Sequence, residues 1–402
     1  MPIVLLYLWR TLIGPIVSPG SEPVDLFEVY VPTGAMVAAG QDPYSQCHGR
    51  ACWLGLTQAW TDYPPVVSWL TQPLAHLDPV LLGAVALLVA QACVVIFLWT
   101  FGRAVDVPNW RQFGVLVIAV IAFPPLIDQI VQRNIEVLLL GLSGVWLLGW
   151  VAGDRWWGGA VLGLGMALKL VQAPLLALGA WGRRWIMTGV AVVVFVVLWA
   201  VGSPQFLPEY LFKVIPEVNT GTGYAMDIAP LGTVARFLHP ASIYGIEQGV
   251  DLTVRAISAV ISFTVFIVTI LALWRPRQDR GGRALEAAAV VAATPLMVTV
   301  VRPGHMLLLL LPILVLATFA FRERLVWLGA ALVVSWTLMG PAYLWYTNLF
   351  AAGFRGPAMQ LGEEIALLGM VILWLASVRM LRSLKYSSPL AGEVARSAGG
   401  GV

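Results

Sequence analysis

The chain has 402 residues, of which 59% are hydrophobic and only 11% are charged. A soluble protein carries about 25% charged residues, so this composition excludes an ordinary soluble protein. Apolar runs long enough to cross a bilayer recur along the sequence and predict an all-α, polytopic membrane protein. We expect a single membrane domain over residues 1–385 and a disordered cytoplasmic tail over 386–402. The net charge of +3 favours no partner, and no basic patch with interleaved aromatic residues indicates nucleic acid binding.

The N-terminal run 1–17 is apolar, lacks a basic leader and contains Arg10. These features favour a poor first membrane helix over a cleaved signal peptide. Cys47 and Cys52 in the following loop could close a disulfide if that loop faces an oxidising compartment. No set of Cys and His has metal-ligand spacing, and the sequence contains no Walker A loop, GxSxG or GxGxxG motif. We therefore expect neither a metal nor a cofactor.

Two amphipathic helices are predicted in this first long loop. Over 25–39 the apolar residues recur at helical spacing, and Gly40 ends the pattern. A turn follows at 41–44, and Tyr63-Pro64-Pro65 then begins a second helix with proline in its first turn. That second helix places Trp69 at a depth suited to a membrane interface.

Asp25 is the carboxylate of most interest because it lies beside the first membrane helix. A carboxylate at a membrane face, near cations, could take a proton from a hydroxyl group. The alternative is a structural role as a helix cap. Asp42 and Asp62 are weaker candidates, since Asp42 is most simply a turn former and Asp62 a cap for the helix that follows.

Nine clear apolar segments predict membrane helices in addition to 1–17. In chain order they are 80–101, 113–123, 135–151, 185–201, 252–274, 285–301, 306–319, 325–343 and 365–378.

One more apolar run, 156–181, contains Lys169 and is flanked by Arg155 on one side and by Arg183 and Arg184 on the other. Basic residues near helix ends prefer the cytoplasm, so a single crossing would leave one of these groups outside. Two short helices joined near Lys169 keep both groups inside and bring the predicted count to about 12 membrane helices. The opposite orientation of the N-terminal half remains an alternative.

With this hairpin, most of the 24 basic residues fall on the cytoplasmic side, as expected for a multi-pass protein of the plasma (inner) membrane. The inside group is Arg10, Arg103, Arg111, Arg155, Arg183, Arg184, Arg275, Arg277, Arg280, Arg283, Arg322, Arg324, Arg379, Arg382, Lys385 and Arg396.

Several basic side chains are instead predicted on the outer side, in or near the membrane, where charges are rare and mark functional candidates. Chief among them are Arg133, Lys169, Arg236, Arg302 and His305. Simpler explanations exist: Arg133 could pair with Asp128 or Glu136. Arg302 could reach the interface, and His305 could be structural. Their convergence on one side would nevertheless suit a lipid phosphate or pyrophosphate.

A series of motifs extends over residues 25–312. The motifs are Asp25-Leu26-Phe27 with Tyr30, Gly40-Gln41-Asp42-Pro43-Tyr44, Tyr63-Pro64-Pro65 with Pro73, Val131-Gln132-Arg133-Asn134, the run 160–174 with Gly163, Lys169 and Pro174, Asn219 with 230–238, and Arg302 to His305. In order and spacing they resemble glycosyltransferase family 87, whose members are GT-C-type membrane enzymes. The sequence departs from the family pattern at Val131, where glycine is usual, and at Pro230, where serine is usual.

The resemblance implies inverting transfer of a hexose, usually mannose, from a polyprenyl-phosphate sugar to a glycolipid or glycan acceptor at the outer face. Motif position would make Asp25 the catalytic base. The donor phosphate or sugar would bind Lys169, Arg236, Arg302, His305 and Arg133. The acceptor or secondary positions would be Asp42, Tyr44, Asp62 and Tyr63. Competing interpretations are a transporter or flippase of lipid-linked sugars and a purely structural membrane subunit.

Overall fold

The computed structural model describes residues 2–17, 25–45, 62–107, 109–224, 227–244, 250–351, 353 and 357–383. Every regular element in these ranges is a helix, which confirms the all-α prediction for the described part of the chain. The predicted tail over 386–402 lies outside the described residues, and so do Cys47 and Cys52.

The main helices are α1 (Pro2–Val17), α2 (Leu26–Ala38), α3 (Pro65–Thr71), α4 (Pro79–Val105), α5 (Trp110–Ile121), α6 (Pro124–Val131), α7 (Glu136–Ala152), α8 (Trp156–Leu168), α9 (Ala173–Trp181), α10 (Trp185–Val201), α11 (Pro204–Val218), α12 (Pro230–Leu238), α13 (Leu252–Ala272), α14 (Arg280–Met297), α15 (Pro303–Glu323), α16 (Val326–Leu349) and α17 (Pro357–Ser383).

Local sequence signals explain where many of these helices begin. The side chains of Asp78, Asn109, Asp251 and Asp279 each accept a hydrogen bond from a backbone N–H in the first turn of α4, α5, α13 and α14. Such caps satisfy donors that have no partner inside the helix. Proline occupies the first position of many of the other helices, including α6, where its missing N–H costs nothing.

Five described helices are long and apolar enough to cross a membrane, namely α4, α13, α15, α16 and the part of α17 from Glu364 to Ser383. The number rises to seven if the bent pairs α5–α6 and α10–α11 each count as one span. The chain is therefore a multi-pass membrane protein. The predicted count of about 12 requires the shorter apolar helices to cross as well, and it stays a prediction.

The break predicted near Lys169 is present, because α8 ends at Leu168 and Lys169 has an extended backbone. Helices α8 and α10 run parallel: Gly159 contacts the backbone of Met187 at one end, and Trp199 Nε1 donates to the Ala167 carbonyl at the other. Because α8 and α10 run in the same direction, the segment between them must run back in the opposite direction. Helix α9 does so, since a Cβ at Gly182 would lie 2.6 Å from the Trp150 ring at the end of α7. The hairpin expected from the charge pattern is therefore observed.

Most of the predicted inside group lies together at one end of the bundle, here called the basic end. It comprises Arg103, Arg111, Arg155, Arg183, Arg184, Arg275, Arg277, Arg280, Arg283, Arg322, Arg324, Arg379 and Arg382. Contacts between helix ends define this end: the guanidinium of Arg280 donates to the Arg103 carbonyl at 2.8 Å, and that of Arg283 to the Val151 carbonyl at 3.0 Å.

Arg10 was expected in the same group, and the structure corrects this. Its neighbours Tyr7 and Thr11 both hydrogen-bond the Gln91 side chain, at 2.8 and 2.9 Å, near the middle of α4. The exposed Arg10 side chain is therefore level with the centre of a long apolar helix rather than with its basic end.

The two helices predicted in the first loop pack on each other at the opposite end of the bundle. Helix α2 ends before Gly40, which has a positive φ of 72°. A Cβ at Gly34 would lie 2.7 Å from the backbone of Thr71 in α3, and Thr71 Oγ1 donates to the Tyr30 carbonyl at 2.8 Å. These contacts hold the segment that follows Asp25 against the bundle. Their placement at a membrane interface stays a prediction.

Close packing of α8 on α10 depends on Gly159, where an added Cβ would collide with the Met187 carbonyl oxygen. We expect Gly159→Ala to lower the free energy of unfolding by about 1–3 kcal/mol, the usual cost of overpacking. Gly189→Ala is the matched control, because Gly189 lies in the partner helix α10 with nothing within 4 Å of an added Cβ. Thermal unfolding in detergent compares the two, and equal midpoints would contradict the packing argument.

Candidate functional site

Lys169 meets two other ionisable side chains at the end of the bundle opposite the basic end. Its Nζ lies 2.5 Å from Oε1 of Glu136, the first residue of α7, and Nε2 of His305 lies 3.5 Å from the same oxygen. Glu136 is 1% exposed, whereas Lys169 and His305 are 18% and 14% exposed. The two basic side chains thus cover the Glu136 carboxylate, and they themselves remain partly accessible to solvent or a ligand.

The His305 ring is oriented by the backbone at the start of α15. Its Nδ1 accepts a hydrogen bond from the backbone N–H of Arg302 at 3.2 Å. A ring nitrogen that accepts a hydrogen bond carries no proton, so the neutral ring carries its proton on Nε2, which faces Glu136. The short turn from Arg302 to His305 therefore points a donor into the cluster.

Asp25 joins this cluster through Asn134. It precedes α2 but accepts no capping hydrogen bond from it, which rules out the helix-cap interpretation for the observed conformation. Instead Asn134 Nδ2 donates to Asp25 Oδ2, while Asn134 Oδ1 accepts from the backbone N–H of Glu136 at 2.9 Å. One amide side chain therefore joins the Asp25 carboxylate to the helix that carries Glu136.

Burial raises the pKa of the Asp25 carboxyl above its usual value. The hydrogen bond from Asn134 and the nearby charges of Lys169 and Arg302 act in the opposite direction. A carboxylate with a raised pKa is a stronger base than an exposed one. The effect of Lys169 and Arg302 on this pKa means that both cations are close enough to Asp25 to interact with it electrostatically.

Two tyrosines complete the wall between Asp25 and Lys169. The backbone N–H of Ile135 donates to Tyr30 Oη at 3.2 Å, and Tyr30 in turn donates to Tyr63 Oη at 3.1 Å. Lys169 Nζ lies 5.0 Å from the centre of the Tyr63 ring, within the range of a cation–π contact. Both rings are buried, so they exclude water from one side of the ammonium group.

Asp42 and Tyr44 support Tyr63 from behind. Asp42 Oδ1 accepts from the Tyr44 backbone N–H at 2.9 Å, which confirms the predicted turn. The buried Tyr44 hydroxyl donates to the Tyr63 carbonyl at 2.7 Å. Asp62 is close enough to Lys169 for its charge to act on the ammonium group.

Arg133 lies next to Asn134 in the left-handed region, with a φ of 53°. Its guanidinium donates to the carbonyls of Gly83 and Val131, at 3.3 and 3.1 Å, and lies 5.9 Å from the centre of the Phe27 ring. It borders the Asp25 side of the cluster.

Arg236 occupies a separate, buried position. Its Nε is 2.9 Å from Glu364 Oε1, and its Nη1 donates to the Asp227 carbonyl at 2.8 Å. Asp227 Oδ1 accepts from the backbone N–H of Val301 at 3.0 Å, one residue before Arg302. Arg236 is thus connected to the cluster through Asp227 and the backbone that leads into Arg302.

The structure therefore brings Asp25, Lys169, Tyr63, Arg302 and His305 together, with Arg133 at the border. The sequence interpretation did not identify Asn134 as a ligand of Asp25, nor Glu136 as the partner of Lys169. A signal existed for both, since a polar Asn and an acidic Glu begin an otherwise apolar helix. Among the described residues, no group of three or more His, Cys, Asp or Glu side chains is placed to hold a metal ion.

A mostly apolar cavity adjoins the cluster, and His305 is part of its wall. The lining comes from the turn after Lys169 and from α9, α14 and α15, with Val171, Leu175, Pro295 and Val298 among its apolar residues. The basic side chains of the cluster and this small apolar cavity therefore lie side by side.

Comparison with known proteins agrees with this picture. No curated protein matches the chain. The profile of glycosyltransferase family 87 matches residues 60–303, which is more than half of the 402 residues. The matched range includes Tyr63, Arg133, Glu136, Lys169 and Arg302. The chain therefore belongs to glycosyltransferase family 87, a family of GT-C-type membrane glycosyltransferases.

Proposed function

We propose that the protein transfers a hexose, mannose in the first instance, from a polyprenyl-phosphate sugar to a glycolipid or glycan acceptor, with inversion. The observation that carries this proposal is the placement of a partly buried carboxylate, Asp25, near the cations Lys169 and Arg302. A carboxylate can take the proton of a carbohydrate hydroxyl, and cations can stabilise the phosphate that leaves when a phosphodiester is cleaved.

In the proposed reaction Asp25 removes the proton from the acceptor hydroxyl, whose oxygen attacks the anomeric carbon. The bond from that carbon to the phosphate oxygen breaks, and its electron pair leaves with the polyprenyl phosphate. Lys169 and Arg302 stabilise the charge that develops on the leaving phosphate, and we place His305 beside them at the edge of the site for the phosphate or its sugar. Fixed cations in a site of low polarity are effective because they need no reorganisation during the reaction.

We assign supporting roles to the other predicted residues. Arg133 would contact the sugar or acceptor at the border of the cluster. Arg236 would hold the backbone before Arg302, and Asp42 and Tyr44 would hold Tyr63. Asp62 would modulate Lys169. We also propose that the twelve helices counted from the sequence cross the plasma membrane, with the basic end in the cytoplasm and the cluster at the outer face.

The experiment that tests this function incubates purified protein with a panel of polyprenyl-phosphate sugars and extracted envelope lipids. The panel contains mannose, glucose, galactose and arabinose. We expect one donor to be consumed in step with the release of polyprenyl phosphate and the appearance of a glycosylated acceptor. Movement of intact donor across reconstituted vesicles, without any glycosylated product, would favour the flippase alternative.

The orientation gives a separate prediction. In a background without native cysteines, we expect Arg183→Cys at the basic end to react with a membrane-impermeant thiol reagent only after the cells are opened. His76→Cys, at the exposed turn before α4, should react in intact cells. The reverse labelling pattern would place the cluster on the cytoplasmic side.

A further inference from the structure

Glu136 is the one fully buried carboxylate that the described part of the cluster contains and that the proposed reaction does not use. It begins α7, where the partial positive charge of a helix N-terminus favours a carboxylate. Its 1% exposure means that the ionised group has lost nearly all contact with solvent. Removing a charge from water is costly unless partners compensate it, so the neighbours of Glu136 determine what it does.

Those neighbours are the two basic side chains already assigned to the leaving phosphate. Both approach a single oxygen, Oε1, with Lys169 Nζ at 2.5 Å and His305 Nε2 at 3.5 Å. The second oxygen, Oε2, is buried and has no hydrogen-bond partner within the described residues. The carboxylate is therefore turned so that one oxygen serves both basic groups.

The Glu136 side chain lies close to the turn that carries His305. A Cβ at Gly304 would lie 3.2 Å from Glu136 Cγ and 2.7 Å from Gln129 Oε1, so the backbone next to His305 touches the stem of the glutamate. The backbone N–H of Glu136 is held by Asn134. The glutamate and the turn that carries His305 are thus in direct contact.

We propose that Glu136 is a positioning residue that fixes Lys169 Nζ beside the site where the leaving phosphate binds, with the His305 ring packed against the same carboxylate oxygen. This inference rests on the proposed function, because it concerns the same phosphate. One oxygen of Glu136 uses only one of the three donors on the Lys169 ammonium group, and the others remain for a ligand. The carboxylate also keeps the buried cation in place when no donor is bound.

A purely structural ion pair is the competing interpretation. It would also give non-additive losses of stability, but it would leave the kcat of the folded enzyme nearly unchanged. A positioning residue acts through the groups that it holds. Its removal should therefore matter much less once Lys169 is already absent, a non-additivity that a double-mutant cycle measures. A structural residue that acts independently would cost the same in both backgrounds.

The first experiment is a stability cycle on the full-length protein without substrate. Glu136→Gln and Lys169→Met should each lower the midpoint of thermal unfolding, because each leaves one buried charge without its partner. The double variant should unfold at a higher temperature than the sum of the two losses would give. Additive losses would overturn the inference, whatever substrate the enzyme uses.

The second experiment repeats the cycle on turnover at saturating donor. We expect Glu136→Gln to lower kcat by about tenfold or more in the wild-type background and by less than about threefold in the Lys169→Met background. Glu286→Gln is the matched control, since Glu286 is also a buried carboxylate, is 3% exposed and lies near the basic end. Equal losses of kcat in both backgrounds would overturn the positioning role.

The two experiments separate this inference from the proposed function. If the wild-type enzyme consumes none of the donors in the panel, the proposed function fails, while the stability cycle still decides whether Glu136 and Lys169 are coupled. If the wild-type enzyme is active and the variants behave additively, only the inference about Glu136 fails.

Discussion

Asp25→Asn is expected to lower transfer by roughly 10²- to 10⁴-fold while donor binding persists, because general-base catalysis contributes rate factors of that size. Asparagine keeps the shape of the side chain and can still face Asn134, but it cannot accept the acceptor proton. The measurements are kcat with a saturating donor and, separately, the affinity for the donor. Retention of near wild-type kcat would show that Asp25 is not the base.

The pH dependence gives a second test of the same residue. Because burial raises the pKa of the Asp25 carboxyl, the base should become protonated, and inactive, at a higher pH than an exposed aspartate would. The rate should therefore fall as the pH drops through this raised pKa. Asp78→Asn is the matched control, because Asp78 is an exposed aspartate at the same end that caps α4. It should change neither the pH profile nor the stability appreciably, because asparagine caps a helix about as well as aspartate does.

Lys169→Met is expected to weaken donor binding by roughly 10- to 100-fold, the loss expected when a hydrogen bond between charged groups worth about 1.5–3 kcal/mol disappears. Methionine retains most of the apolar stem against Tyr63 while removing the charge. Binding is measured with the polyprenyl-phosphate sugar that the panel identifies, or with polyprenyl phosphate alone.

Two further variants test whether weaker donor binding could instead result from a loss of folding. Lys213→Met removes a half-exposed lysine that pairs with Glu209 one helical turn away, and it should leave donor affinity unchanged. The double variant Glu136→Gln/Lys169→Met removes both buried charges and should still bind the donor weakly. Donor affinity equal to that of wild type in Lys169→Met would exclude Lys169 from the phosphate site.

The all-helical, multi-pass class and the hairpin at 156–181 were predictable because bilayers impose strong rules on sequence. Basic residues around 156–181 were enough to predict the hairpin, since a single crossing would have placed a basic group on the wrong side. Local detail was less predictable. The segment predicted as one helix over 113–123 ends at Ile121 and continues, after a 56° bend, as α6, because two prolines follow Phe123.

The site was only half predictable, and for a physical reason. Lys169, Arg302 and His305 attracted attention because charges in apolar segments are costly, which is a property of the sequence alone. Their partners were missed because they are distant in sequence: Glu136 is 33 residues from Lys169, and Asn134 is 109 residues from Asp25. Such pairs arise from the approach of helix ends, which composition and periodicity do not specify.

Three consecutive residues, two just before α7 and one at its first position, each contact a different side chain of the site: Asn134 binds Asp25, the Ile135 N–H binds Tyr30, and Glu136 binds Lys169. Under the proposed function, this one segment would fix the distance between the base and the cation that binds the leaving phosphate. The loops that select the substrate could then change in sequence without moving the groups that act on the sugar.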